Sequence, residues 1–121
     1  MDLLEELLAE GADIAEGLRR LGGKADFYTK MLLRVPTLIA ERPVTAAMMR
    51  DNPALAVENA HAVKGVAGNL SITPLYESYS KIVALLREGD SGAASAVLEG
   101  ILPVQERILS IIEKYRQLNG S

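Results

Sequence analysis

The chain has 121 residues, with no cysteine, no tryptophan, one phenylalanine, four tyrosines and a single histidine. Without cysteine there are no disulfides, no thiolate nucleophile and no Cys-based zinc site, and the composition fits a reducing compartment. Aromatic residues at 4% leave no stacking platform for single-stranded nucleic acid. An excess of positive charge is missing too. Thirteen Lys and Arg against sixteen Asp and Glu give a formal charge of −3, so no overall basic field holds nucleic acid, and acidic substrates are not favoured. No apolar run approaches the ~18 residues of a membrane span, so no membrane insertion is expected. The N-terminal "MDLLEELLAEGADIAEG" carries acids where a secretion signal starts basic, so no such signal is expected either. There is no Gly-rich phosphate loop, no internal repeat, and no period-2 alternation bounded by hairpin turns.

What is present is helical periodicity throughout, in an ordinary globular composition of 49% apolar and 24% charged residues. Size and pattern predict one all-α domain over 1–121, with its core over about 13–118. A first helical segment runs from about Leu3 to Leu21, is divided at Gly11, and stops at Gly22-Gly23. A second runs from about Lys24 to Ala40, with Phe27, Met31, Val35 and Leu38 on one face and a bend at Pro36. Pro43 opens a short piece through Met49. Asn52 as N-cap and Pro53 at the first position start a long helix to about Ser71. Thr73 as cap and Pro74 open the next, ending near Gly89, and the short linker between these two helices forces an antiparallel hairpin. Asp90 or Ser91 caps a last helix to about Leu118, which Pro103 should kink or split; the terminal NGS reads as a linker or a scar. Tyr76, Tyr79, Ile82 and Leu86 form a set expected at core or core-edge positions, with partner contact as the lesser alternative.

The lone histidine lies in "ENAHAVKGVAGNL", residues 58–70. On a helical wheel Val66, Leu70, Val63, Ala56, Ala67 and Leu55 fall opposite His61 and form the expected core face, while Glu58, Gly65, Gly68, Val57 and Lys64 lie within about 60° of it. His61 is therefore expected in the middle of the exposed face. Each interior glycine costs a helix about 1 kcal/mol. Two of them beside a histidine suggest clearance for a partner's approach. Chemistry narrows further. His61 with only Glu58 at i−3 is an incomplete ligand set, so no metal site is expected. A general base needs a substrate pocket, which an exposed helix face is not expected to offer. A neutral imidazole with an ordinary pKa near 6.5 can act as a nucleophile towards a phosphoryl group. Lys64, one turn on, can then reach the added charge; the alternative for Lys64 is a solvated surface lysine.

"AHAVKGVAGNL" resembles the AH-x-LKG-x-A-x-N-L signature of histidine-containing phosphotransfer (HPt) domains. "GLRRLGGKADFYTKML" looks like that family's first-to-second helix joint, and "REGD" like its turn into the last helix. The resemblance covers about Asp13 to Leu118. It implies a four-helix up-down bundle with an additional N-terminal helix. On that bundle His61 would accept a phosphoryl group from a receiver-domain aspartate and pass it to another receiver. By the same resemblance Lys64 matches the lysine that stabilises the phosphoryl group, Gly65 the small residue that admits the receiver, and Gly68 a commonly small position. The receiver would supply the metal ion, so this chain would be a cofactor-free phosphocarrier, not an enzyme. Two departures stand out. Val63 replaces the usual Leu or Ile, and the following helix places Val83 near the histidine's level where the family often has a glutamine or carboxylate. Arg87, one turn further, is a candidate second cation or a solvated helix-end arginine, and Val57 and Ala54 are candidates for an apolar docking rim.

The resulting expectation is a monomeric, cytoplasmic phosphorelay module of two-component signalling, either free-standing or as the soluble part of a membrane-bound hybrid sensor histidine kinase. Its partners would be response-regulator receiver domains. Two rivals stay open: a phosphorylation-independent helical adaptor on the same scaffold, and a hydrolase using His61 as general base.

Overall fold

The computed structural model describes residues 2–118, so the terminal NGS lies outside them. The described residues form helices and no strand. In order these are α1 (Leu3–Ala9), α2 (Ile14–Arg20), α3 (Ala25–Leu32), α4 (Val35–Ala40), α5 (Ala46–Asp51), α6 (Pro53–Asn69), α7 (Thr73–Arg87) and α8 (Ser91–Leu118). No helix among the described residues is long and apolar enough to cross a membrane.

Side-chain caps begin five of the helices. Asp2, Asp13, Thr45, Asn52 and Asp90 each accept a hydrogen bond from the backbone N–H three residues on, satisfying donors that the helix leaves unpaired. The short piece expected to open at Pro43 therefore opens at Thr45. Thr73 is the first residue of α7 and not its cap; Ile72 holds that position without a side-chain bond. Four helices end alike. The N–H groups of Ala12, Gly23, Ile72 and Asp90 reach back five residues to the carbonyls of Leu7, Leu18, Ala67 and Leu85, the Schellman pattern, which needs a left-handed residue just before the donor. Gly11, Gly22 and Gly89 fill that place at three ends, and Ser71, at φ +54°, fills it at the end of α6.

The prolines act differently from one another. The second expected helix is broken, not bent: α3 ends at Leu32, and Pro36 sits in the first turn of α4, where its missing N–H costs nothing. Pro103, by contrast, lies inside α8, which runs unbroken for 28 residues. Both Pro103 and Glu99, one turn earlier, are exposed, so the carbonyl that loses its partner faces water.

The long helices α6, α7 and α8 pack in sequence, and α4 and α5 each contact both α6 and α8. One core joins them, including Leu32, Val35, Met49, Ala60, Val63, Ile82, Val83, Ile108 and Ile112. Buried polar groups in it are paired. Tyr79 Oη donates to Gln105 Oε1 at 2.6 Å across α7 and α8, and Asn59 Nδ2 donates to the Pro43 carbonyl at 2.8 Å. Helix α1 lies on α8, where Lys114 and Arg107 pair with Glu6 and Glu10 at 3.1 Å; exposed pairs of this kind contribute about 1 kcal/mol or less each.

The buried face of the α3–α4 segment is Tyr28, Leu32, Val35 and Ile39; of the expected set only Val35 is buried, Met31 and Leu38 are half-buried, and Phe27 is 45% exposed. Tyr28 decides the shift. Its ring lies in the core against Gly17 of α2, and its hydroxyl donates to the Leu70 carbonyl at 2.7 Å. A Cβ on Gly17 would collide with the Tyr28 hydroxyl, so that glycine is required for packing, not flexibility. The start of α2 is further tied to the α6–α7 connection by Asp13 N–H donating to the Ser71 carbonyl at 2.9 Å and Ser71 Oγ donating to Glu16 Oε1 at 2.9 Å.

Candidate functional site

Helix α6 buries Ala56, Asn59, Ala60, Val63 and Ala67 and turns His61 to solvent. The expected core face is thus occupied with two changes. Val66 is only half-buried, and Leu55, in the first turn of α6, is 38% exposed. The contact between Gly68 and Tyr76 sets the α6–α7 register. Carried along both helices, it brings the end of α7 level with Val57 and Val83 level with His61. Val83 is buried in the core and gives the imidazole no polar support.

His61 lies in an open depression of about 560 Å³, where a flat helix face was expected. Lys64, Gly65 and Gly68 line it from the same helix. Val57 and Arg87 do not: Val57 is half-buried against the core, and Arg87 is exposed at the last residue of α7. The two glycines differ. A Cβ on Gly65 would meet nothing within 4 Å, whereas one on Gly68 would lie 2.9 Å from Cδ1 of Tyr76. Gly65 therefore leaves open space in the depression one turn from His61, and Gly68 makes room for a ring of the same chain.

Other elements complete the wall. Helix α7 contributes Tyr76, 42% exposed, and Glu77; the α2 region contributes Asp13, Glu16 and Arg20; the α6–α7 connection contributes Ser71. None of these was singled out from the sequence as part of the site. Arg20 and Glu16 lie forty or more positions from His61 and Ser71 only ten, and the packing of α2 against the α6–α7 connection brings the three together. The wheel could have flagged Tyr76, since it departs from the otherwise buried Tyr79, Ile82 and Leu86 stripe.

Among the described residues neither His61 nor Lys64 makes a hydrogen bond or ion pair. Both are free to meet an incoming group. Glu16 is engaged instead. Its carboxyl is held below the usual range by the Ser71 hydroxyl and by Arg20, whose Nε donates to Glu16 Oε1 at 3.1 Å. No cluster of three or more His, Cys, Asp or Glu side chains that could hold a metal ion occurs among the described residues. Chemically, the arrangement presents an accessible imidazole with two cations, Lys64 and Arg20, in the same depression, and no carboxylate bonded to the ring that would orient it as a general base. Comparison of the chain with protein-family models, curated proteins and solved structures gives no match in any of the three.

Proposed function

We propose that the chain is a histidine phosphotransfer module, in which His61 accepts a phosphoryl group from a receiver-domain aspartate and passes it to another receiver. The scaffold in this reading is an up-down bundle of the α3–α4 segment with α6, α7 and α8, with α1 and α2 as the N-terminal addition. The observation that carries it is the pairing of an exposed, unengaged imidazole with a neighbouring position, Gly65, where the surface is open. In the transfer, a ring-nitrogen lone pair of neutral His61 forms the N–P bond while the aspartyl P–O bond breaks. The aspartate leaves as carboxylate, and the phosphorylated ring gives up its remaining proton to solvent. Lys64 offsets the charge that arrives with the group.

Incubation with a radiolabelled phospho-receiver tests this. The wild type should gain an acid-labile, alkali-stable label that His61→Gln lacks. A wild type without label would point to the phosphorylation-independent adaptor. Partners by this proposal are receiver domains, and the receiver brings the metal ion.

A further inference from the structure

Three of the four Schellman ends place glycine at the left-handed position, and the fourth places Ser71 there. A non-glycine residue in that conformation costs about 1 kcal/mol. Such a cost persists where the surroundings use it. Ser71 is buried, at 3% exposure, and its hydroxyl is spent on Glu16 Oε1. The same oxygen accepts from Arg20 Nε. All three residues line the depression that holds His61.

We propose that Arg20 is a second phosphoryl-binding cation of the His61 site, and that Ser71 and Glu16 are positioning residues that aim its guanidinium. The inference rests on the phosphotransfer reading. With Nε engaged by Glu16, the two terminal nitrogens of Arg20 have no partner among the described residues and form the flat fork that suits two phosphoryl oxygens. A lysine offers only a point charge, so Arg20 would add geometry to what Lys64 adds in charge. The depression also holds Asp13, Glu16 and Glu77, so it is not a trap for free phosphate. Asp13 is occupied in capping α2 and Glu16 in holding Arg20. The cations therefore act on a group already bonded to His61, and the carboxylates keep that group transferable.

The test labels the chain with phosphoramidate, a small donor that needs no cognate receiver. The imidazole lone pair forms the new N–P bond, the donor P–N bond breaks, and ammonia leaves. Phosphorus NMR then follows the phosphohistidine's titration midpoint and its lifetime. Loss of a nearby cation raises the pH at which the phosphohistidine takes up a proton and enriches the more acid-labile protonated form. Arg20→Ala should raise the midpoint by about one unit and shorten the lifetime about tenfold, and Arg20→Lys should restore part of both. Ser71→Gly relieves the strained conformation yet should move the midpoint the same way by a smaller amount, a shift that a purely structural serine would not produce. A labelled Arg20→Ala that matches the wild type overturns the role of Arg20. A shift in Arg20→Ala with none in Ser71→Gly overturns the positioning role of Ser71. A wild type that takes no label while retaining its helical fold overturns the assignment of His61 itself, and this inference with it.

Discussion

The turn from α6 to α7 and the turn from α7 to α8 are built on the same hydrogen bonds, yet one uses Ser71 and the other Gly89. A Cβ on Gly89 would meet nothing within 4 Å, so that turn is solved by backbone freedom alone. The Ser71 turn is solved by its neighbours. The Leu70 carbonyl is taken by Tyr28, the Ser71 carbonyl by Asp13 N–H, and the Ser71 hydroxyl is given to Glu16. A helix end far from the site needs only the residue that fits the conformation. At the end beside His61 the conformation is accepted for the sake of a side chain.

The strongest way to break the comparison is to damage the supported turn. Gly17→Ala puts a methyl into the Tyr28 hydroxyl, which has no space to move in the core and is bonded to Leu70. Overpacking of this kind costs about 2 kcal/mol even after the helix-propensity gain, and thermal unfolding should fall by roughly 8 °C; an unchanged midpoint would show the corner is looser than described. Tyr28→Phe, which removes only the hydroxyl, should cost about 1 kcal/mol at neutral pH. Burial, with the nearby Asp13 and Glu16 charges, pushes the Tyr28 phenol up to about 12. A raised pKa stabilises below the unfolded value of about 10 and is lost as pH rises towards the folded one. Chemical unfolding of the two proteins at pH 8 and near pH 12 should thus show the wild type's advantage shrinking or reversing in alkali.

Smaller effects sharpen the contrast. Gly89→Ala forces a side chain into a left-handed turn with nothing to recompense it and should cost about 1 kcal/mol. Ser71→Gly should leave stability within about 0.5 kcal/mol of wild type, strain relief offsetting the lost bond to Glu16. Equal losses at both positions, measured by denaturant midpoints, would erase the distinction. Gly65→Ala sets stability against function. In open space it should stabilise α6 by up to about 1 kcal/mol. The same methyl should slow transfer from a receiver about tenfold if it costs 1.4 kcal/mol at the docking face. Faster or equal transfer would mean that the clearance at Gly65 is not used.

Local signals in the sequence were enough for some of this architecture. The Asn52-Pro53 start of α6 and the glycine stops of α2 and α7 depend on chemistry within a few residues, and they stand where expected. So does the exposure of His61, because the apolar residues opposite it are strongly patterned. The face of the α3–α4 segment was misjudged by one residue. Phe27 and Tyr28 are comparable on a wheel, and only the space left by Gly17 and the carbonyl at Leu70 choose between them. The same periodicity points Leu55 inward, yet it is 38% exposed, because a wheel does not register which neighbours reach the first turn. Gly68 and Gly65 are equivalent on the wheel, and only the Tyr76 ring against Gly68 separates them. The far wall of the depression, Arg20 with Glu16 and Ser71, is set by contacts between distant segments, which no local pattern carries.

The central claim is that His61 carries the phosphoryl group. Its most direct test is to map the modified residue after the chain is incubated with a phosphorylated receiver domain, with digestion and tandem mass spectrometry kept alkaline to preserve an N–P bond. One phosphorylated residue is expected, His61, with the group lost on later addition of a second, unphosphorylated receiver. A phosphoryl group found on a serine, threonine or tyrosine instead, or on no residue at all, would contradict it.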